Sequence, residues 1–110
     1  MAGSNLFTGT LDMLVLTAAA PGPIHGYAIG RWIRASSDEA LQVDEGALYP
    51  ALHRLEKRGW LTSDWGLSER GREAKFYRLT RLGRRQLRLE RERWSDHVQA
   101  VEAVLCAARN

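Results

Sequence analysis

One stretch limits the fold more than any other: DEGALYPALHRLEKRGWL, residues 44–61. Its periodicity from Leu48 onward is that of an amphipathic helix. With Leu48 at 0° and about 100° per residue, Ala51, Leu52 and Leu55 fall within about 60° of it and form one apolar face. Gly46, Pro50, His53 and Lys57 fall between about 140° and 200°, with Arg54 near 240°. Asp44 is a good N-cap, and Glu45 suits the positive end of the helix dipole. Gly59 stands where a left-handed residue closes a helix, and Trp60 follows where an apolar side chain packs back on Leu55. Yet Gly46 and Pro50, both poor helix residues, sit in the first turns. A helix made small and stiff on its outer side is built for close approach to another surface. The alternative is a helix that starts only at Pro50, after a turn.

The segments around it are organised to match. Residues 1–9 read as a flexible tail, and Thr10 as the cap of a first helix, Leu11 to Ala20, apolar almost all round. The sequence PGP at 21–23 ends it. A second helix spans about Gly26 to Ser36, with Ile29, Trp32 and Ile33 as its buried stripe and Arg31 and Arg34 off it. A loop, SSDEA, and a short strand, LQV at 41–43, lead to the third helix. After it come strands at WLTSDW and KFYRL, joined by an exposed, mobile loop, GLSERGREA, that carries Arg70, Arg72 and, at the start of the second strand, Lys75. Leu61, Tyr77 and Leu79 are expected in the core. Thr80 caps a last helix, Arg81 to Ala108, roughly 40 Å long at ~1.5 Å per residue.

That last helix carries Leu87, Trp94, Val98, Val101, Leu105 and Ala108 at steps of 7, 4, 3, 4 and 3, a heptad-like seam. A chain of 110 residues makes one domain with a modest core. It is too small to cover both this seam and the first helix, whose Leu11, Leu14 and Val15 also need covering. A homodimer that packs first and last helices together meets that need. Trp94 on the seam is an interface side chain, or one wall of an aromatic pocket for a planar effector.

Charge points to a polyanion. Residues 69–93 hold ten Lys/Arg and four Asp/Glu, a balance of +6, whereas the net charge of the whole chain is only +3. No apolar run reaches the roughly 20 residues of a membrane span, and no signal peptide is visible. A single cysteine, Cys106, excludes an internal disulfide, fits a reducing cytoplasm and is expected to be a buried, inert thiol. His25, His53 and His97 are widely separated, with no HExxH, no cysteine pair and no phosphate-binding glycine loop. The reading is therefore no enzyme, no metal and no cofactor. His25 is expected to be a turn or cap residue, and Trp65 to pack in the hairpin.

The element order makes the chain mainly α with a small β-hairpin: a winged helix-turn-helix at 10–80, followed by a long C-terminal dimerisation helix at 81–110. In that plan the third helix enters the DNA major groove and the hairpin, or wing, reaches the flanking backbone. Gly46 and Ala47 then remove bulk at the point of approach, and Pro50, His53, Arg54 and Lys57 complete the outer side. The rival readings are a winged-helix protein–protein interaction module and a non-specific DNA-binding protein.

The segments GTLDMLVLTAAAPGPIHGYAI (9–29), LQVDEGALYPALHRLEKRGWL (41–61) and EAKFYRLTRLGRRQL (73–87) together resemble the PadR family of bacterial transcriptional regulators. The resemblance implies a repressor that binds double-stranded DNA, dimerises through its first and last helices and is released by a small molecule, and the two-fold axis of such a dimer calls for a palindromic operator. It implies the short form of the family, with a single C-terminal helix. By position it places Tyr49 and the outer face of the third helix on the operator, Gly26 and Tyr27 near the backbone, and Arg72 and Lys75 in the wing. The sequence departs from the family pattern at Gly71 and Glu73, where Asn and a basic residue are more usual, and Glu73 repels phosphate.

Overall fold

The computed structural model describes residues 2–109. The order of elements is α1 (Ala2–Ala19), β1 (Ile24–His25), α2 (Gly26–Ser36), α3 (Glu45–Lys57), β2 (Leu61–Leu67), β3 (Glu73–Leu79) and α4 (Arg81–Cys106). The three strands form an antiparallel sheet in the order β1-β3-β2. No helix among the described residues is long and apolar enough to cross a membrane.

The core is one cluster. Leu11, Val15, Leu16 and Ala19 of α1 meet Ile29 and Ile33 of α2, Leu48, Ala51, Leu52 and Leu55 of α3, Leu61, Tyr77 and Leu79 of the sheet, and Leu87 of α4. The apolar face read from the α3 periodicity is the buried one. Helix α1 is the hub, in contact with α2, α3, α4 and β3. This explains why it is apolar almost all round, and it corrects one expectation. Leu11 and Val15 are not spare interface residues, because they are 2% and 0% exposed inside their own chain, whereas Leu14 remains part-exposed.

Helix α1 begins earlier than Thr10, so residues 2–9, expected as a tail, are helical and Thr10 is interior to the helix rather than its cap. Gly3, Ser4 and Gly9 lower helix propensity by no more than about 1 kcal/mol each, and no proline interrupts the run. The strand expected at LQV (41–43) is absent. The pairing edge of β3 is taken by Ile24 and His25, which lie opposite Tyr77 and Phe76.

Helix α3 starts at Glu45, not Pro50. The Asp44 Oδ1 accepts from the Ala47 N–H at 2.9 Å, and Pro50 lies within the helix on its exposed side. The end is the expected closure: Gly59 has φ +79, its N–H donates to the Glu56 carbonyl, and the Trp60 N–H donates to the Leu55 carbonyl at 3.0 Å. The hairpin is tighter than expected. Strands β2 and β3 pair from Leu61↔Leu79 out to Leu67↔Glu73, so the loop is only Ser68–Arg72, closed by Ser68 N–H to the Arg72 carbonyl at 2.8 Å with Gly71 at φ +74.

Three other expectations are corrected. Trp32 is 42% exposed rather than in the buried stripe, Trp65 is 69% exposed rather than packed, and Cys106 is exposed rather than buried. All three lie on surfaces that a single chain leaves open. From Arg91 onward every described residue of α4 is exposed, with Trp94, Val98, Val101, Val104 and Leu105 uncovered, and the helix ends at Cys106, short of the expected Ala108.

Candidate nucleic-acid interface

The outer side of α3 is set by the residues that the core does not take. Gly46, Tyr49, Pro50, His53 and Lys57 are all exposed, and Ala47 is part-exposed. Pro50 has no N–H, so the Gly46 carbonyl four residues earlier has no helical donor. A Cβ at Gly46 would stand 3.2 Å from Asp44 Oδ1, so a side chain there would crowd the capping carboxylate. The outer side of α3 is thus small at Gly46 and stiff at Pro50, with one helical backbone bond given up.

Tyr49 is 44% exposed, and its inner edge rests on the start of α2. A Cβ at Gly26 would stand 3.0 Å from Tyr49 Cε1 and 3.3 Å from Leu52 Cδ1. Gly26 is buried, so it acts beneath the surface as the glycine that lets α2 and Tyr49 close together, not as a contact residue. Its neighbour Tyr27 is 57% exposed, with the Arg31 guanidinium 5.6 Å from its ring centroid. His25 is the cap that was expected: its Nδ1 accepts from the Ala28 N–H at 3.3 Å, and its ring stands edge-on to Phe76.

Two cations assigned from the sequence are already engaged. The Arg54 Nη2 donates to Asp12 Oδ1 of α1 at 2.5 Å, which draws Arg54 from the outer side into the α1–α3 seam. The Lys75 ammonium lies 3.4 Å from Glu56 Oε1, and the Ser63 hydroxyl donates to Glu56 Oε2 at 2.5 Å. Glu56 thus ties both wing strands to the end of α3. The Ser63 hydrogen bond, helped by the Lys75 charge, holds its carboxyl below the usual carboxylate value against the opposing effect of burial. Lys75 anchors the wing, whereas Arg70 and Arg72 project from its tip, exposed and outside every ion pair found among the described residues.

Sequence reasoning missed Arg31 and Trp32. They line a cleft of about 720 Å³ between α2 and the wing tip, with Tyr27 and Ala28 on one side and Arg70, Arg72 and Glu73 on the other. The signal was present, since Arg31 lies off the apolar stripe of α2, but only the three-dimensional turn of the wing brings it beside Arg70 and Arg72. A second, smaller hollow of about 260 Å³ lies between α1 and α4, lined by Gly9, Thr10, Met13, Glu90, Arg93, Trp94 and His97. It is where Trp94, expected as one wall of an effector pocket, is found.

Comparison with known proteins agrees with this geometry. A transcriptional regulator of Mycobacterium tuberculosis is 37% identical over 88 residues, 79% of this chain and 78% of its own. The solved structure of a PadR family transcriptional regulator from Eggerthella lenta is 32% identical with a TM-score of 0.79, covering 97% of this chain and 91% of that one. A transcriptional regulator from Clostridium thermocellum superposes with a TM-score of 0.81 at 28% identity, covering 89% of this chain and 95% of that one. The model of the PadR-like family of transcriptional regulators matches residues 15–89, which take in the buried face of α3, its exposed outer side and the wing, and the chain belongs to that family.

Proposed function

We propose that the chain is a sequence-specific repressor that binds a palindromic operator as a homodimer, with α3 in the major groove and the wing tip on the flanking phosphates. One observation carries this reading: a fully sealed apolar face on α3 leaves an outer side that is small at Gly46 and Ala47, stiff at Pro50, and polar or basic at Tyr49, His53 and Lys57. The Ala47 N–H is taken by the Asp44 cap, which leaves the N–H groups of Glu45 and Gly46 to meet a phosphate there. Tyr27, Arg70 and Arg72, exposed around the cleft between α2 and the wing tip, suit contacts that position the protein without reading bases. The uncovered seam of α4 supports the homodimer, which would set the two copies of α3 about 34 Å apart, one turn of DNA. The α1–α4 hollow with Trp94 is the proposed site of a planar effector that releases the DNA. Such a regulator works in the cytoplasm.

The test is selection of duplexes from a random pool, followed by titration of the selected and scrambled sequences at several salt concentrations. The proposal expects a palindromic consensus bound at least about 10³-fold tighter than scrambled duplex. Equal binding of both would make the protein a non-specific binder, and binding of neither would make the domain a protein–protein module. Gly46→Glu, which sets an acid against phosphate, is expected to abolish selection while leaving the circular dichroism spectrum unchanged.

A further inference from the structure

Helix α1 carries one acid, Asp12, in the apolar run LDMLVLTAAA. An acid there needs a partner, and it has one 42 positions away: Arg54, in the last turns of α3 and next in sequence to His53 of the outer side. The contact is 2.5 Å, with the Asp12 side chain 16% exposed and that of Arg54 33% exposed. Arg54 makes no other ion pair among the described residues, and nor does Asp12. An ion pair at this depth adds little net stability, because desolvation opposes the attraction, but it fixes geometry, since removal of one partner strands a charge. Among the described residues, the core contacts between α1 and α3 are apolar and non-directional, so they fix the angle between the helices less tightly than a charged hydrogen bond.

We infer that Asp12 and Arg54 are positioning residues whose ion pair sets the angle at which α3 presents its outer side. This rests on the DNA-binding reading. The pair joins α3 to the segment of α1 that also supplies Gly9, Thr10 and Met13 to the hollow beside Trp94. The outer side of α3 is therefore tied by a directional contact to the helix that borders the hollow.

Asp12→Ala, Arg54→Ala and the double variant test it, in the full chain, with a duplex selected by the wild type and a scrambled duplex, below the thermal transition of each variant. Each single variant should bind the selected duplex about ten-fold more weakly, with scrambled binding and salt slope unchanged, and the double should be no weaker than the worse single. The charge-reversed pair Asp12→Lys with Arg54→Glu should recover part of the preference. Asp12→Asn, nearly isosteric, serves if Asp12→Ala does not fold. A rival role for Arg54 as a phosphate ligand makes the opposite forecast: Arg54→Ala lowers the salt slope by about one, while Asp12→Ala, by freeing the guanidinium, tightens binding. That result overturns the inference, as does a fall in melting temperature with the preference intact. If the wild type selects no duplex, the DNA-binding reading fails first and the inference with it.

Discussion

The ring of Tyr49 closes over Gly26, so that a Cβ at position 26 would meet its Cε1 at 3.0 Å and its hydroxyl oxygen at 3.4 Å. Two residues that read as separate contacts in the sequence are one unit, in which the glycine allows the tyrosine to lie where it does. The tyrosine is the member at the surface.

That relationship makes Gly26→Ala informative. The added methyl group requires the ring to give by a few tenths of an ångström, and Tyr49, being exposed on its other side, can swing outward. The expected outcome is a small stability change, within about 1–2 kcal/mol by denaturant titration, and a larger loss of operator affinity, roughly ten-fold. Equal losses in binding and stability would show that the glycine serves packing alone.

The wing anchor gives a pH dependence with a definite sign. The Glu56 carboxyl is held below its usual value, chiefly by the Ser63 hydroxyl and then by Lys75. A depressed carboxylate pKa contributes stability that is present above the unfolded-state value and is lost as the pH falls through the folded-state value. The melting temperature should therefore fall below about pH 4.5 more steeply in the wild type than in Glu56→Gln. At neutral pH, Glu56→Gln should speed tryptic cleavage at Arg70 and Arg72 by loosening the hairpin. An identical pH profile for the two proteins would remove Glu56 from this role.

Lys75 and Arg72, grouped together by sequence, should behave differently. Arg72 stands free at the wing tip, so Arg72→Ala should weaken selected and scrambled duplexes alike and lower the salt slope by about one. Lys75 is committed to Glu56, so Lys75→Ala should leave the slope nearly unchanged and loosen the wing instead. Equal slope changes in titrations of the two variants would contradict the assignment.

The elements legible from the sequence were those with a local cause. Asp44, the apolar positions Leu48, Leu52 and Leu55, and Gly59 define α3 because capping, periodicity and a left-handed closure act within a few residues. The β3 core positions Tyr77 and Leu79 follow from alternation in the same way. What escaped depended on distant partners. Nothing near Arg54 announces Asp12, nothing near Lys75 announces Glu56, and Ile24–His25 form a strand only because β3 offers an edge. Leu11 and Val15 look unpartnered until the fold wraps three other helices and a strand around α1. Trp32 fits the α2 stripe by spacing but turns outward, where the wing tip and not the core is its neighbour.

The seam of α4 is open in the single chain. Val101 is 41% exposed in the single chain, and Trp94, Val98, Val104 and Leu105 are uncovered beside it. Because the fold of one chain does not bury Val101, Val101→Asp should leave circular dichroism and the core intact. In a homodimer the same change would bury an unpaired carboxylate at a cost on the order of several kcal/mol, felt once in each subunit. The variant should therefore be a folded monomer that loses its preference for the palindrome and keeps weak, salt-sensitive binding through one α3 and one wing. Light scattering at tens of micromolar, run beside duplex titration, reads both effects. A wild type that stays monomeric, or a Val101→Asp dimer as tight as the wild type, would overturn this interface, whereas a monomeric variant with undiminished operator affinity would separate assembly from recognition.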